Sequence, residues 1–160
     1  MRVVSNTSPL SNLAVIGRLD LLKERYGRVS IPAGVWNELR ALRHAEALAR
    51  LDQAAADGWL AVESPAPALF FAPPLDAGET EAISLAAASR ADLLLIDEIK
   101  GRAAARGLGL AIGGLLGELL HARLADRIPS LGAEIQRLRS EARFFVSGDI
   151  ERFILSQAGE

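Results

Sequence analysis

The residues able to do chemistry in this chain are oxygen donors. Asn6 and Ser8 stand just past the short apolar run Val3-Val4-Ser5. Glu38 lies about two turns into a helical pattern that Pro32 opens. Glu79 falls in the first turn of a later helix, with Glu81 two residues on, and Asp97-Glu98 close the apolar run Leu93 to Ile96. Carboxylates that converge without His or Cys suit a hard cation, Mg²⁺ or Mn²⁺, rather than zinc. Gathered acids repel one another, and a divalent ion relieves that repulsion. There are no cysteines, which excludes zinc–thiolate sites, disulfides and thiol nucleophiles. His44 and His121 lie too far apart to make a metal-ligand pair of familiar spacing. Ser5 to Leu10 contains no glycine, so the phosphate-cradling loop of a nucleotide-binding enzyme is missing after the first strand.

The elements that must position these groups follow from periodicity and punctuation. Arg2 to Ser5 reads as a strand. Ser8-Pro9 reads as a helix start, Ser8 as the cap and Pro9 as the first helical residue, with Leu10, Leu13 and Ala14 at helical spacing. Gly17 ends that helix, and Leu19, Leu21 and Leu22 begin another that stops at Tyr26-Gly27. Val29 to Ile31 is a second strand. Pro32 then opens a helix with Val35, Trp36, Leu39 and Leu42 on its apolar face. Ala45 to Ala56 is helical, stopped by Asp57-Gly58, and Trp59 to Val62 is a short strand. Ser64 to Leu75, rich in Pro and Ala, reads as a packed connection. Asp76 opens a helix through about Ser89, and the continuous apolar run Leu93 to Ile96 has the character of a buried central strand. A helix over Gly101 to Arg106 leads to an apolar segment, Leu108 to Ile112. Helices from about Leu115, Leu131 and Asp149 follow, those from about residue 130 packing on the rest of a single domain, 1–160.

Strand and helix in alternation predict an α/β fold, three layers with a central parallel sheet between helices. In such sheets the working site lies beyond the carboxyl ends of the strands, where strand order reverses. All the oxygen donors above stand at such ends, or on helices beside them. Glu79 is one turn before Ala82 and Ile83, on the buried stripe. Glu81 is rotated by roughly 200° from it and is expected to face solvent or a partner.

The bulk numbers bound the partners. The chain has 160 residues, long enough to bury a core, with 50% hydrophobic and 24% charged residues and a formal charge of −2. That charge argues against a broadly basic nucleic-acid clamp and leaves room for a local one. Lys100, Arg102 and Arg106, just past Asp97, form the nearest such group for phosphate contacts, which set affinity rather than sequence choice. No segment reads as a targeting signal or a membrane span, so a soluble, cytoplasmic protein is expected.

Four stretches together resemble a known family. Val3-Val4-Ser5-Asn6-Thr7-Ser8-Pro9-Leu10, Ile31-Pro32 through Val35-Trp36-Asn37-Glu38-Leu39, Leu75-Asp76-Ala77-Gly78-Glu79-Thr80-Glu81-Ala82-Ile83, and Leu94-Leu95-Ile96-Asp97-Glu98 look like the successive motifs of the PIN domain. They look more narrowly like a little-characterised prokaryotic branch related to VapC-type toxins. The resemblance implies a metal-dependent endoribonuclease that uses Mg²⁺ or Mn²⁺ to hydrolyse RNA phosphodiesters, in a family many of whose members are the toxin of a toxin–antitoxin pair. It implies a small antitoxin protein as partner, and a homodimer. It places the catalytic and metal-binding set on Asn6, Glu38, Glu79 and Asp97, with Glu98 as a flanking ligand and Ser8 beside the substrate. The chain departs from the family at Asn6, where PIN nucleases usually carry Asp. An amide oxygen coordinates a hard cation but brings no charge. The alternative is therefore a weak or inactive PIN-like domain that binds RNA or a protein.

Each residue also has a plainer reading. Asp76-Ala77-Gly78-Glu79 fits a capping box, a role that can coexist with metal binding. Asp97 fits a helix N-cap, Asn6 a strand-to-helix turn, and Glu38 or the basic trio a solvated helix face. His121 reads as a helix-surface or core histidine rather than a base. Phe70-Phe71 reads as core or subunit interface, and so does Phe144-Phe145-Val146, where a partner could also dock.

Overall fold

The computed structural model describes residues 1–160. Its frame is a five-stranded, all-parallel sheet in the order β3-β2-β1-β4-β5. The strands are β1 (Val3–Ser5), β2 (Val29–Pro32), β3 (Leu60–Glu63), β4 (Leu93–Leu95) and β5 (Ile112–Gly113). Between and after them run α1 (Thr7–Val15), α2 (Asp20–Tyr26), α3 (Ala33–Arg40), α4 (Ala45–Ala56), α5 (Ala77–Ala88), α6 (Ile99–Gly107), α7 (Leu115–Leu124), α8 (Leu131–Glu141) and α9 (Gly148–Gln157). This is the α/β architecture that the alternation of elements predicted.

Two central strands carry the logic. β1 pairs with β4 over Val3↔Leu93, Val4↔Leu94 and Ser5↔Leu95, and with β2 at Val4↔Ser30. The chain moves outward through β2 and β3, then returns to the other side of β1 for β4 and β5. Strand order therefore reverses between β1 and β4, and their carboxyl ends open a crevice there. Val3, Val4, Leu94, Leu95 and Ile96 are all buried, because helices cover a parallel sheet and leave its central strands no polar side. Burying a Leu or Ile side chain contributes about 1.5–3 kcal/mol, so this apolar run sets the register that brings Asn6 beside Ile96. The hydrophobic cluster runs from Val3 through Leu131, Ile135, Leu138 and Ile154 to Ala158, so α8 and α9 pack on the same core as the sheet.

Local differences from the sequence expectations have identifiable causes. α1 begins at Thr7, with Asn6 in the cap position and Pro9 inside the first turn. Pro is tolerated there because the N–H it lacks has no intrahelical partner. Ser8 is consequently not the cap; its hydroxyl is committed elsewhere. α6 begins at Ile99, two residues before Gly101, with Glu98 at its cap position. The apolar segment Leu108 to Ile112 supplies only the short β5, since Gly109 (φ +75°) turns the chain at the helix end. Beyond Glu63, Phe71 and Leu75 pack partly on the core, whereas Phe70 is 89% exposed and no part of it.

Candidate functional site

Three consecutive residues at the end of β1 organise the crevice. The Asn6 backbone N–H donates to the Leu95 carbonyl (2.9 Å), which extends the β1–β4 ladder by one step and fixes the next residues. The Thr7 hydroxyl donates to Glu38 Oε2, reaching across to α3. The Ser8 hydroxyl donates to Asp97 Oδ2 (3.0 Å), reaching the other way to the end of β4. One tight strand-to-helix turn thus grips an acid on either side of it.

Asp97 is held at both oxygens. Its Oδ1 accepts from the Leu115 N–H (2.8 Å) in the first turn of α7, one of the amides that a helix start leaves unpaired. Asn12, a turn along α1 from Ser8, donates to the Ser8 hydroxyl (3.1 Å) and to the Ser8 carbonyl (2.9 Å). Gly114 makes the approach possible, since a Cβ there would stand 2.8 Å from Asp97 Oδ1 and 2.9 Å from Arg102 Nη1. Burial pushes the Asp97 carboxyl above its ordinary value, against the pull of the Leu115 N–H and the Ser8 hydroxyl.

Glu79 is buried at the start of α5. The capping box is present: the Glu79 N–H donates to Asp76 Oδ1 (2.8 Å), and the Asp76 N–H donates to Glu79 Oε2 (3.3 Å). Its second oxygen, Oε1, is buried with no hydrogen-bond partner, and so is Oδ1 of Asn6. Glu79 Oε1 lies 3.0 Å from where a Cβ on Gly101 of α6 would stand. Burial, then the neighbouring Asp76 charge, push the Glu79 carboxyl up to about 7, and Glu98 adds to the effect.

Glu38 and Glu81 tie α3 to α5 in a reciprocal way. The Glu38 carboxylate lies against Gly78, where a Cβ would come within 2.2 Å of Oε1. Glu81 Oε2 accepts from the Gly34 N–H (2.8 Å) at the start of α3. Glu81 was expected to face solvent or a partner; it is instead a cap on the helix that carries Glu38. Its rotation from Glu79 is real, but the neighbouring helix occupies the direction in which it points. Gly34 and Gly78 are the local signals for this, because a glycine in a helical first turn, where most residues would fold better, marks a close approach. Thr7 and Asn12 carried no such signal in the sequence.

The sequence-predicted residues therefore divide. Asn6, Ser8 and Asp97 share one hydrogen-bonded corner, with Glu98 exposed at its rim. Glu38 joins through Thr7, and Glu79 faces the start of α6. Arg102 turns inward, its Nη1 donating to the carbonyls of Ile96 (2.7 Å) and Gly113 (3.2 Å). Lys100 lines a different cleft with Phe71, Pro73 and Leu75, and Arg106 is exposed in the last turn of α6. His44 caps α4, Nδ1 accepting from the Ala47 N–H (3.0 Å), and His121 is exposed on α7.

A divalent ion fits part of this arrangement. The donors are all hard oxygens, two of them lack any hydrogen-bond partner, and burial raises two of the carboxyls. The acids are nonetheless spread along the crevice: no three His, Asp or Glu side chains stand close enough together to hold an ion as a group.

A family model described as PIN domain matches residues 2–160, and the chain belongs to that family. No curated protein matches it. PIN domains are generally nucleases that act on nucleic acid and typically use divalent metals. No helix is long and apolar enough to cross a membrane.

Proposed function

We propose that this PIN domain is a metal-dependent endoribonuclease, in which Asn6, Glu38, Glu79, Asp97 and Glu98, spread along the crevice, draw together on Mg²⁺ or Mn²⁺ when it binds. One observation carries the reading: Asn6 Oδ1, at the end of β1 where strand order reverses, and Glu79 Oε1, against the start of α6, are buried oxygens with no hydrogen-bond partner. An orphaned buried acceptor costs about 1–3 kcal/mol, and a cation removes that cost. A bound ion supplies polarisation of the phosphate and an activated water.

The chain's own residues do the rest. Ser8 and the Leu115 N–H hold the Asp97 carboxylate in one orientation, and Asn12 holds Ser8. Thr7 sets Glu38 from the opposite side. Asn6 offers a neutral oxygen, so the negative charge that draws the ion comes from Glu38, Glu79, Asp97 and Glu98. Arg102, beside Asp97, is the cation best placed to meet a phosphate, with Lys100 and Arg106 further along α6. The reading includes a cytoplasmic protein, a homodimer, and the role of toxin against which a small antitoxin is made.

Titration calorimetry with Mn²⁺ tests the ion, and cleavage of a mixed RNA pool tests the chemistry. Binding and cleavage that are abolished by chelation and by Asp97→Asn support the proposal. A second reading, a weak or inactive domain that binds RNA or protein, is favoured by the uncharged Asn6 and the spread of the acids. It is supported by a silent wild type that gains cleavage on Asn6→Asp.

A further inference from the structure

A groove of about 640 Å³ opens directly beside Asp97, between α6, β5, α7 and the segment that leads into α9. Asp97 and Arg102 form its charged end. Phe145, 85% exposed, and Ile99, 84% exposed, flank it, and Ile150 borders it from α9. Neither aromatic nor aliphatic side chains of that size stand so open for the sake of the core.

One lining residue is informative. Gly117 sits within α7, where glycine is the poorest choice after proline. No close approach explains it: a Cβ on Gly117 would meet nothing within 4 Å. It differs in this from Gly34, Gly78, Gly101 and Gly114, each of which has a neighbour that a side chain would strike. What the missing side chain leaves is open space in the groove.

We propose that this groove is a nucleobase subsite. It takes the base of a nucleotide adjoining the phosphodiester at the acid site, with Phe145 as its stacking face and Gly117 in its lining. Arg102 uses Nη1 on two backbone carbonyls and makes no hydrogen bond to the neighbouring Asp97, so its other N–H groups are free for the adjoining phosphate. A nucleotide brings both things the groove lacks, a flat ring for Phe145 and an anion for Arg102. An apolar helix from a partner protein would instead bury Asp97 and Arg102 without answering either charge. In a chain of formal charge −2, stacking also supplies affinity that broad phosphate contact cannot. The inference rests on the nuclease reading above and adds to it the residue that holds the substrate's base.

The test is equilibrium binding of a labelled short oligouridylate, and of the same backbone made abasic, to the full chain with chelator present so that nothing is cleaved. The wild type is expected to bind the base-bearing strand about tenfold more tightly than the abasic one. Phe145→Ala and Gly117→Leu each remove that margin and leave abasic binding unchanged, with melting temperatures no lower than wild type for Gly117→Leu. Variants that keep the margin, or that weaken both strands alike, overturn the subsite. So does a Gly117→Leu protein that binds RNA normally but loses self-association in sedimentation, which would make the groove a protein interface. If wild-type cleavage proceeds with no margin for the base, or if neither strand binds, the subsite fails; the nuclease reading stands or falls separately, on the Mn²⁺ titration and the cleavage of the RNA pool.

Discussion

Glu118 and Glu134 are buried as deeply as Glu79, at 5%, 2% and 6% exposure, yet the two regions treat their acids in opposite ways. Glu134 receives Arg18 through Nε (2.9 Å) and Nη2 (2.6 Å), and Arg137 at 3.3 Å. Glu118 receives Arg25 (3.0 Å) and the Tyr26 hydroxyl (2.7 Å). Burial and the Glu118 hydrogen bond hold that phenol far above its ordinary value, so it stays a donor. Glu79 has one backbone N–H on one oxygen, nothing on the other, and Asp76 and Glu98 for neighbours. A carboxylate buried for the sake of packing is answered by cations of the same chain. At the crevice the chain supplies hydroxyls, amides and further acids, with Arg102 beside Asp97 and no cation of the chain paired with Glu79.

The largest effect that would sharpen this contrast is on turnover. Asp97→Asn is expected to lower RNA cleavage about a thousandfold, roughly 4 kcal/mol of transition-state stabilisation, without lowering the melting temperature. A variant that loses both activity and fold in proportion would put Asp97 in the same class as Glu134. Next comes stability on the other side: Arg18→Ala leaves Glu134 half answered and should cost about 3 kcal/mol in denaturant unfolding.

The third effect depends on pH. In the metal-free protein the Glu79 carboxyl is raised from 4.5 to about 7 in the fold. An acid raised in the folded state adds stability that is fully present below its ordinary value and is lost as pH rises through the folded one. Stability should therefore fall between about pH 4.5 and 7, by no more than about 3 kcal/mol. Glu79→Gln should flatten that slope, and Mn²⁺ should offset it above pH 7. A slope that survives Glu79→Gln would show that the crevice acids are already answered. Smallest is Tyr26→Phe, which removes one donor from Glu118 while Arg25 remains, at about 1 kcal/mol.

Much of the fold was legible because it rests on short-range rules. The apolar run Leu93 to Ile96, the Asp76 cap and the position of Glu79 on the buried stripe all follow from local spacing, and the order of elements gave the parallel sheet. The capping reading of Glu79 is met by one carboxyl oxygen, which closes the box, while the other is buried against the start of α6 without a hydrogen-bond partner. What stayed hidden depends on partners distant in the chain. Whether the Thr7 hydroxyl meets Glu38, whether Asn12 steadies Ser8, and whether Glu81 finds solvent or Gly34 are decided by how α1, α3 and α5 come together. Ser8 shows the same limit at close range. Its type and place before Pro9 satisfied every capping rule, and a distant aspartate claimed the hydroxyl instead.

The β1–β4 pairing also dictates a timetable. Ser8 and Asp97, joined across the crevice, are 89 residues apart. A nascent chain leaving the ribosome carries its first strand with one edge unsealed until the fourth has emerged, a high-contact-order step that is slow by nature. The acids cannot meet before then, so the crevice stays open and unassembled until Asp97 has been made.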